Sequence, residues 1–182
     1  FRRHLRALTL DGSLVLVRGR RYALPGRGEV AVGVLAVHPD GYGFVSAGRA
    51  GEADLYVPRD HLKDALHGDR VAVRSVRSRR RDGSEARVIR VIERGRARLL
   101  GEFRAGAGGR ADVRPLDPRR PQFVRVAPGD ARGAAGGDVV EVEITEWPTA
   151  TRGPIGRVTE VLGPIDAPGV DSRVVARAHG IG

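Results

Sequence analysis

Cysteine and methionine are absent from the 182 residues, and lysine occurs once, at position 63. Without cysteine there are neither disulfides nor thiolate metal sites. Aromatic residues are scarce, eight in all: Phe1, Tyr22, Tyr42, Phe44, Tyr56, Phe103, Phe123 and Trp147. No apolar run approaches the length that crosses a bilayer as a helix. No signal-peptide pattern opens the chain, and no amphipathic basic helix points to an acidic membrane surface. A soluble, cytoplasmic protein with no membrane partner is the expectation. A chain that starts at Phe1 and holds no methionine reads as a piece of something longer.

Acidic residues are the minority among the charged ones, 22 against 32 basic, for a formal net charge of +10. Arginine supplies every basic residue but Lys63. A G+C-rich genome accounts for that choice of side chain, together with the abundant Ala, Gly, Val and Pro. It does not account for the sign of the charge, since exchanging Lys for Arg leaves the sign unchanged. A basic surplus of this size favours a polyanionic partner, most simply nucleic acid.

Helical periodicity is scarce, while short valine-rich runs separated by glycine recur, the pattern of an all-β barrel or sandwich. An internal repeat is present. "ALHGDRVAVR" (65–74) resembles "AAGGDVVEVE" (134–143), "ARVIRVIE" (86–93) resembles "GRVTEVLG" (156–163), and "VGVL" (32–35) resembles "LGEF" (100–103). The three pairs occur in the same order at nearly one offset. Two copies of one small β-domain follow, covering 26–95 and 96–163 and joined near "ERGRAR" (93–98). Each reads as five short strands, in the first copy near 29–38, 42–47, 53–57, 70–77 and 85–92. Five strands in this length suggest two tandem five-stranded OB-type barrels. Alternation in "DRVAVRSV" sets Val71, Val73 and Ser75 on one face and Ala72, Arg74 and Val76 on the other. Val34, Val45, Leu55, Val57, Val71 and Val73 supply the first core. "HLKDAL" (61–66) reads as a connector.

Residues 1–25 lie outside the repeat. "FRRHLRAL" fits the last turns of a helix and "GSLVLVRGRRYALP" a hairpin turning at Arg18-Gly19-Arg20. Helix then hairpin matches the end of a winged-helix domain, or equally an N-terminal extension packed on the first barrel. Residues 164–182 read as a linker, with Asp166 and Asp171 in a loop.

Three of the eight aromatics fall between 42 and 56, in "DGYGFVS" and "DLYVP". Residues i and i+2 of a strand share a face, so Tyr42 and Phe44 project together. If "DLYVP" pairs alongside, Tyr56 joins them. The bland alternative places all three in the core. The supply of other core residues and the flanking charges Asp40, Arg49, Asp54 and Arg59 argue for exposure instead. Exposed rings on a basic barrel suit unpaired nucleobases, each of which has a flat π-face.

"GYGFV" with "DLYVP" resembles the paired RNP motifs of cold-shock domains, OB barrels that bind single-stranded nucleic acid. It departs at Asp40, where a basic residue is usual, and at Pro58, where histidine is frequent. The longer strings "VAVGVLAVHPDGYGFV", "DLYVPRDHLKDALHGDRVAVR", "GDVVEVEITEWP" and "GRVTEVLG…APGVDSRVVARAHGI" resemble the N-terminal region of the ribonuclease II family of 3′–5′ exoribonucleases. The resemblance spans nearly all of 25–182. It implies two cold-shock domains that guide single-stranded RNA to a catalytic domain of the same parent chain, where aspartates hold Mg²⁺. The expected RNA contacts are Tyr42, Phe44 and Tyr56, with Arg49, Arg59, His61, Lys63 and Arg74 around them and Arg114 and Arg125 on the second barrel.

At the repeat offset Tyr42 and Phe44 fall near Ala111 and Val113, so the second copy reads as lacking the ring pair. It is expected to hold backbone, through Arg110, Arg114, Arg119, Arg120 and Arg125. Phe123 and Trp147 read as core or seam residues. "RSVRSRRRDGSEAR" (74–87) reads as an arginine-rich hairpin tip.

No catalytic constellation or cofactor site is expected within these residues. Metal-assisted phosphodiester hydrolysis needs several carboxylates converging on a cation, and no such set is spaced for it here. His4, His38, His61, His67 and His179 are scattered, with His38 and His67 beside predicted turns in structural roles. "GRGEVAVG" and "GAGGRAD" lack the lysine and context of a phosphate loop. Two other readings stay open: a stand-alone cold-shock-type RNA chaperone or regulator, and a protein-interaction adaptor.

Overall fold

The computed structural model describes residues 2–17, 21–25, 30–46, 53–76, 85–120, 122–149 and 151–178. The chain divides into two compact units, Phe1–Gly95 and Arg96–Gly182. Each contains one closed five-stranded barrel.

The first unit opens with α1 (Arg2–Leu10) and a two-stranded antiparallel sheet of β1 (Val15–Val17) and β2 (Arg21–Ala23). The expected turn at 18–20 lies outside the described residues. The barrel follows as β3 (Val30–Val37), β4 (Gly43–Ser46), β5 (Leu55–Val57), β6 (Arg70–Val76) and β7 (Glu85–Glu93), closed in the order β3-β4-β5-β7-β6. All pairings are antiparallel except β5 with β7, where Tyr56 meets Glu85. Between β5 and β6 "HLKDAL" gives only a single 3₁₀ turn, Arg59–His61, and tight turns.

The core holds Leu35, Val37, Val45, Val57, Val71, Val73 and Val88. Burying each such side chain stabilises the fold by about 1.5–3 kcal/mol. Val34, expected inside, is 52% exposed, and Leu35 takes the inward place with 0%. The phase of β3 is set by Gly33. A Cβ there would stand 2.1 Å from the Ser46 carbonyl oxygen, so that face of the strand lies directly on β4. Residues 33, 35 and 37 therefore point in, and 34 and 36 point out. The expected alternation in β6 is obscured because Ala72 is as buried as Val71 and Val73. It packs in a second apolar cluster with Val15 and Val30, beneath the N-terminal sheet. That cluster seats the β1–β2 sheet on the barrel's outer wall.

The second unit repeats the plan with β8 (Arg98–Ala105), β9 (Ala111–Pro115), β10 (Val124–Val126), β11 (Asp138–Glu146) and β12 (Ile155–Pro164), in the cyclic order β10-β12-β11-β8-β9. Its parallel pair is β10 with β12, the counterpart of β5 with β7. Phe103, Val113, Val124, Val126, Val140, Val142 and Val158 form its core.

The repeat holds at atomic detail. Asp69 and Asp138 each accept from the amide three residues earlier, Leu66 at 2.9 Å and Ala135 at 2.8 Å. The following strand is held in place by Gly68 donating to the Leu35 carbonyl and Gly137 to the Phe103 carbonyl, at 2.8 and 2.9 Å. Gly101 repeats Gly33, with a Cβ there 2.6 Å from the Arg114 carbonyl oxygen.

Part of the stretch expected as a linker, 164–182, is helical. "VDSRVVARA" forms α2 (Val170–Ala178), with Val170 buried against Val139 and Leu162, and Val174 packed beside them. Arg173 and Arg177 both bond Glu160 of β12, at 3.0 and 2.8 Å. Asp171 therefore lies in a helix rather than a loop. The apolar spacing Val170–Val174 is the helical signal in the sequence, masked by the prolines and glycines before it.

Candidate nucleic-acid interface

On the outer wall of the first barrel, β3, β4 and β5 run side by side. Ala36, Phe44 and Tyr56 are successive register partners across the three strands, so their side chains leave the same face. The Phe44 and Tyr56 ring centroids lie 5.7 Å apart, tilted by 58°. Tyr42, two residues before Phe44, completes a triangle, 5.8 Å from Phe44 and 5.6 Å from Tyr56. Phe44 is exposed and both tyrosines are half-buried, so the three rings stand on the surface rather than in the core.

Glycine separates the two faces of this stretch. Gly43 points inward, where a Cβ would stand 2.8 Å from Leu35 Cδ1, so the leucine fills the space beneath the rings. Gly41 has φ +91°, a left-handed conformation that favours glycine. A Cβ there would lie 3.3 Å from Arg59 Nε, so the turn brings the Arg59 side chain beside Tyr42.

His38, expected to be structural, lies against the platform. Its ring is stacked on Tyr42 at 4.4 Å and 10°. Its Nδ1 accepts from the Asp40 amide at 3.3 Å and lies at the same distance from the Asp40 carboxylate. The signal was its place four residues before Tyr42 across a tight turn, where the His38 amide donates to the Tyr42 carbonyl at 2.7 Å.

The basic residues divide. Arg59 is exposed beside the rings. His61 Nε2 lies 3.1 Å from Arg87 Nη2, and Arg87 is itself exposed on β7. Arg74 stands opposite Arg87 in the β6–β7 register and is half-buried. Lys63 adopts a left-handed backbone, φ 55°, and its ammonium donates to the Ile89 carbonyl at 3.1 Å. Arg49 and the arginine-rich stretch 77–84 lie outside the described residues.

The second barrel has a different surface at the same place. Register places Phe103 opposite Val113 and Ala111 opposite Val126, as it places Leu35 opposite Val45 and Gly43 opposite Val57. The true counterparts of Tyr42, Phe44 and Tyr56 are therefore Arg110, Asp112 and Arg125. Ala111 and Val113, the expected counterparts, are buried core residues. The repeat offset in β9 is one residue shorter than that expectation requires, and a slip of one residue exchanges the faces of a strand. The ring face has become a charged face.

Arg114 is committed within that barrel, since its Nε and Nη2 donate to Glu102 at 3.1 and 2.6 Å. Arg119 is likewise paired with Asp117, which raises its pKa through that hydrogen bond. Arg120 donates to the Arg96 carbonyl at 3.1 Å. Arg110 and Arg125 are exposed, and among the described residues neither enters an ion pair. Phe123, expected in the core or at a seam, is 46% exposed, with the Arg104 guanidinium 5.9 Å from its ring centroid. Trp147 is half-buried. Among the described residues no three His, Asp or Glu side chains converge as metal ligands, and no helix is long and apolar enough to cross a membrane.

Two closed barrels, one bearing a ring triad on its β3–β4–β5 wall, define a pair of OB-type domains. Family comparison agrees: residues 33–91 match the ribonuclease B OB domain and residues 113–182 a cold shock domain. Almost the whole chain matches the N-terminal region of ribonuclease R. It is 37% identical to the Vibrio parahaemolyticus ribonuclease R over 99% of this chain and 22% of that protein. Against the Escherichia coli ribonuclease R it is 36% identical over 99% of this chain and 22% of the relative. Against that of Acidithiobacillus ferrooxidans it is 35% identical over 99% and 41%. The chain thus spans well under half the length of these relatives. The fold is shared with the apo form of Mycoplasma genitalium RNase R, at TM-score 0.72 and 21% identity over 82% of this chain and 24% of that one. A second structure of that enzyme, in complex with ribose-methylated single-stranded RNA, matches at TM-score 0.70 and 22% identity over 80% and 23%.

Proposed function

We propose that this segment binds single-stranded RNA and guides it toward the catalytic domain of a 3′–5′ exoribonuclease of the ribonuclease R type. The observation that carries the reading is the surface triad Tyr42, Phe44 and Tyr56, with neighbouring centroids 5.6–5.8 Å apart and Arg59 at the turn beside Tyr42. Rings so placed offer unpaired bases a stacking surface worth about 1–3 kcal/mol per base. Arginines around them take phosphate, and their guanidinium planes also stack on bases. The homology to ribonuclease R and the RNA-bound structure of a relative with the same fold support RNA as the ligand. In this reading the segment delivers RNA, and hydrolysis with its Mg²⁺ belongs to the catalytic domain that receives it. A cytoplasmic location accompanies this reading.

The test is fluorescence anisotropy with a short labelled oligouridylate against the intact segment and its Tyr42→Ala, Phe44→Ala, Tyr56→Ala triple variant. Affinity is expected to fall by at least tenfold while circular dichroism is unchanged. Unchanged affinity in a folded triple variant would sink the platform. The salt dependence should show a log–log slope of about −0.7 per phosphate neutralised.

A further inference from the structure

The first barrel's platform has a fourth ring, and that ring can carry a charge. His38 covers one face of Tyr42, at 4.4 Å and 10°. Its Nδ1 accepts from the Asp40 amide at 3.3 Å and lies 3.3 Å from the Asp40 carboxylate. Nε2, on the opposite edge of the ring, has no partner among the described residues. With one face covered, 44% of the His38 side chain is still exposed, and Asp40 beside it is exposed as well. The backbone of the turn is held separately. The His38 amide donates to the Tyr42 carbonyl at 2.7 Å, and the Gly41 amide to the His38 carbonyl at 2.8 Å.

We propose that RNA and protons bind this site together, so that protonation of His38 tightens the grip of the first barrel on single-stranded RNA. The inference rests on the reading of the ring triad as an RNA platform and adds the regulation of that platform. Three observations carry it. Asp40 sets a carboxylate at the edge of a surface that receives a polyanion, where it repels phosphate. Among the described residues His38 is the group within ion-pair distance of it. A proton on Nδ1 replaces the weak amide contact by an ion pair with that carboxylate and offsets its charge. The same proton makes the imidazole a cation against the Tyr42 ring face, a favourable cation–π arrangement. It also leaves Nε2–H as a charged donor at the rim, open to a phosphate oxygen. Finally, neither backbone bond of the turn involves the imidazole, so both charge forms fit the same fold and the proton changes only the electrostatics.

The other titratable or charged groups around the imidazole are the Tyr42 hydroxyl, Arg59 beside the turn at Gly41, and His67, whose Nδ1 accepts from the Val37 amide at 3.2 Å. Tyrosine stays neutral and arginine charged over the range in which histidine changes charge, roughly pH 5–8. His67 and His61 are histidines of the same surface, so the test keeps both in place. A ligand that prefers the protonated form binds more tightly as the pH falls through that range, and by reciprocity it draws protons onto the site.

The test is anisotropy with the labelled oligouridylate on the whole segment at constant ionic strength, from about pH 8 to about pH 5.5, above the range in which carboxylates titrate. Native affinity is expected to rise about three- to fivefold toward the acid end. His38→Phe keeps a ring on Tyr42 but cannot take the proton, and should lose that rise. Asp40→Asn, at an exposed position, removes the repelling charge. It should bind about twofold more tightly than the native protein near pH 8 and show a smaller rise. Imidazole NMR signals supply a readout besides affinity: adding RNA near neutral pH should increase the protonated fraction of His38. A native affinity independent of pH, or an equal rise in His38→Phe, would overturn the inference and leave the ring platform standing. So would a His38 charge that RNA leaves unmoved. Absence of binding at every pH would overturn the RNA reading itself, and this inference with it.

Discussion

Phe44 and Tyr56 are direct register partners on adjacent strands, with ring centroids 5.7 Å apart on the outside of the first barrel. Such a pair contributes about 0.5–1.5 kcal/mol beyond the area it covers, yet a protein seldom leaves a phenylalanine exposed for stability alone. Phe44→Leu and Tyr56→Leu keep an apolar strand surface and remove the π-face. Each is expected to weaken RNA binding by about 1–3 kcal/mol, while thermal melting shows losses near 0.5 kcal/mol, as for other surface positions. Stability losses without affinity losses would mean that the pair serves the fold.

His38 is the support of the third ring. Its stack on Tyr42 at 4.4 Å restricts that side chain before any base arrives. His38→Ala should cost about 0.5–1.5 kcal/mol of RNA affinity, and His38→Phe should restore most of it. Anisotropy on the two variants separates ring support from a contact made by the imidazole itself, which phenylalanine would fail to replace.

The strands and the repeat were legible because glycines, turns and valine alternation recur at nearly constant spacing. What was lost traces to single residues. Val34 and Leu35 are both apolar, so alternation alone left the phase of β3 open. Only the contact of Gly33 with Ser46 decides it. The equivalence of Tyr42 and Phe44 failed by one position because the best-matching strings lie in other strands, whose spacing is 69 or 70 rather than the 68 that register demands in β8 and β9. That slip hid both the charged face and Phe123, whose exposure no local pattern announces. Helix α2 was hidden by the prolines and glycines before it, although Val170 and Val174 already carried a helical spacing.

Acid should weaken the second unit through Glu143. Hydrogen bonds from Arg157 at 3.0 and 2.7 Å hold its carboxyl below the ordinary glutamate range. A lowered folded-state pKa stabilises above the unfolded value, about 4.3. That contribution is lost as the pH falls through the folded value. Melting temperature followed from neutral pH downward should decline below about pH 4.3, and Glu143→Gln should flatten that limb. The carboxylate is exposed, so the effect is small. An unchanged acid limb in the variant would show that other groups govern it.

Asp69 and Asp138 occupy the same turn in the two barrels but should not cost the same to remove. Asp69 is 1% exposed and receives three donors: the Leu66 amide at 2.9 Å, the Gly95 amide at 2.8 Å and Arg94 Nη1 at 2.9 Å. Arg94 continues to Asp64 at 2.9 Å, tying the end of β7 to the connector after β5. Removing the buried carboxylate strands two amides and half-frees a guanidinium, and breaking a buried pair typically costs about 3–5 kcal/mol. Arg94 keeps Asp64 and some access to water, so the lower end applies, about 3 kcal/mol. Asp138 receives the Ala135 amide at 2.8 Å, with no ion pair among the described residues. Its loss should cost about 1–2 kcal/mol, the usual consequence of leaving one buried donor unsatisfied. Urea titration of Asp69→Ala and Asp138→Ala, read by circular dichroism, should therefore show the larger midpoint shift for Asp69→Ala. Equal shifts would mean that the turn, rather than the Arg94 bridge, is what the aspartate secures.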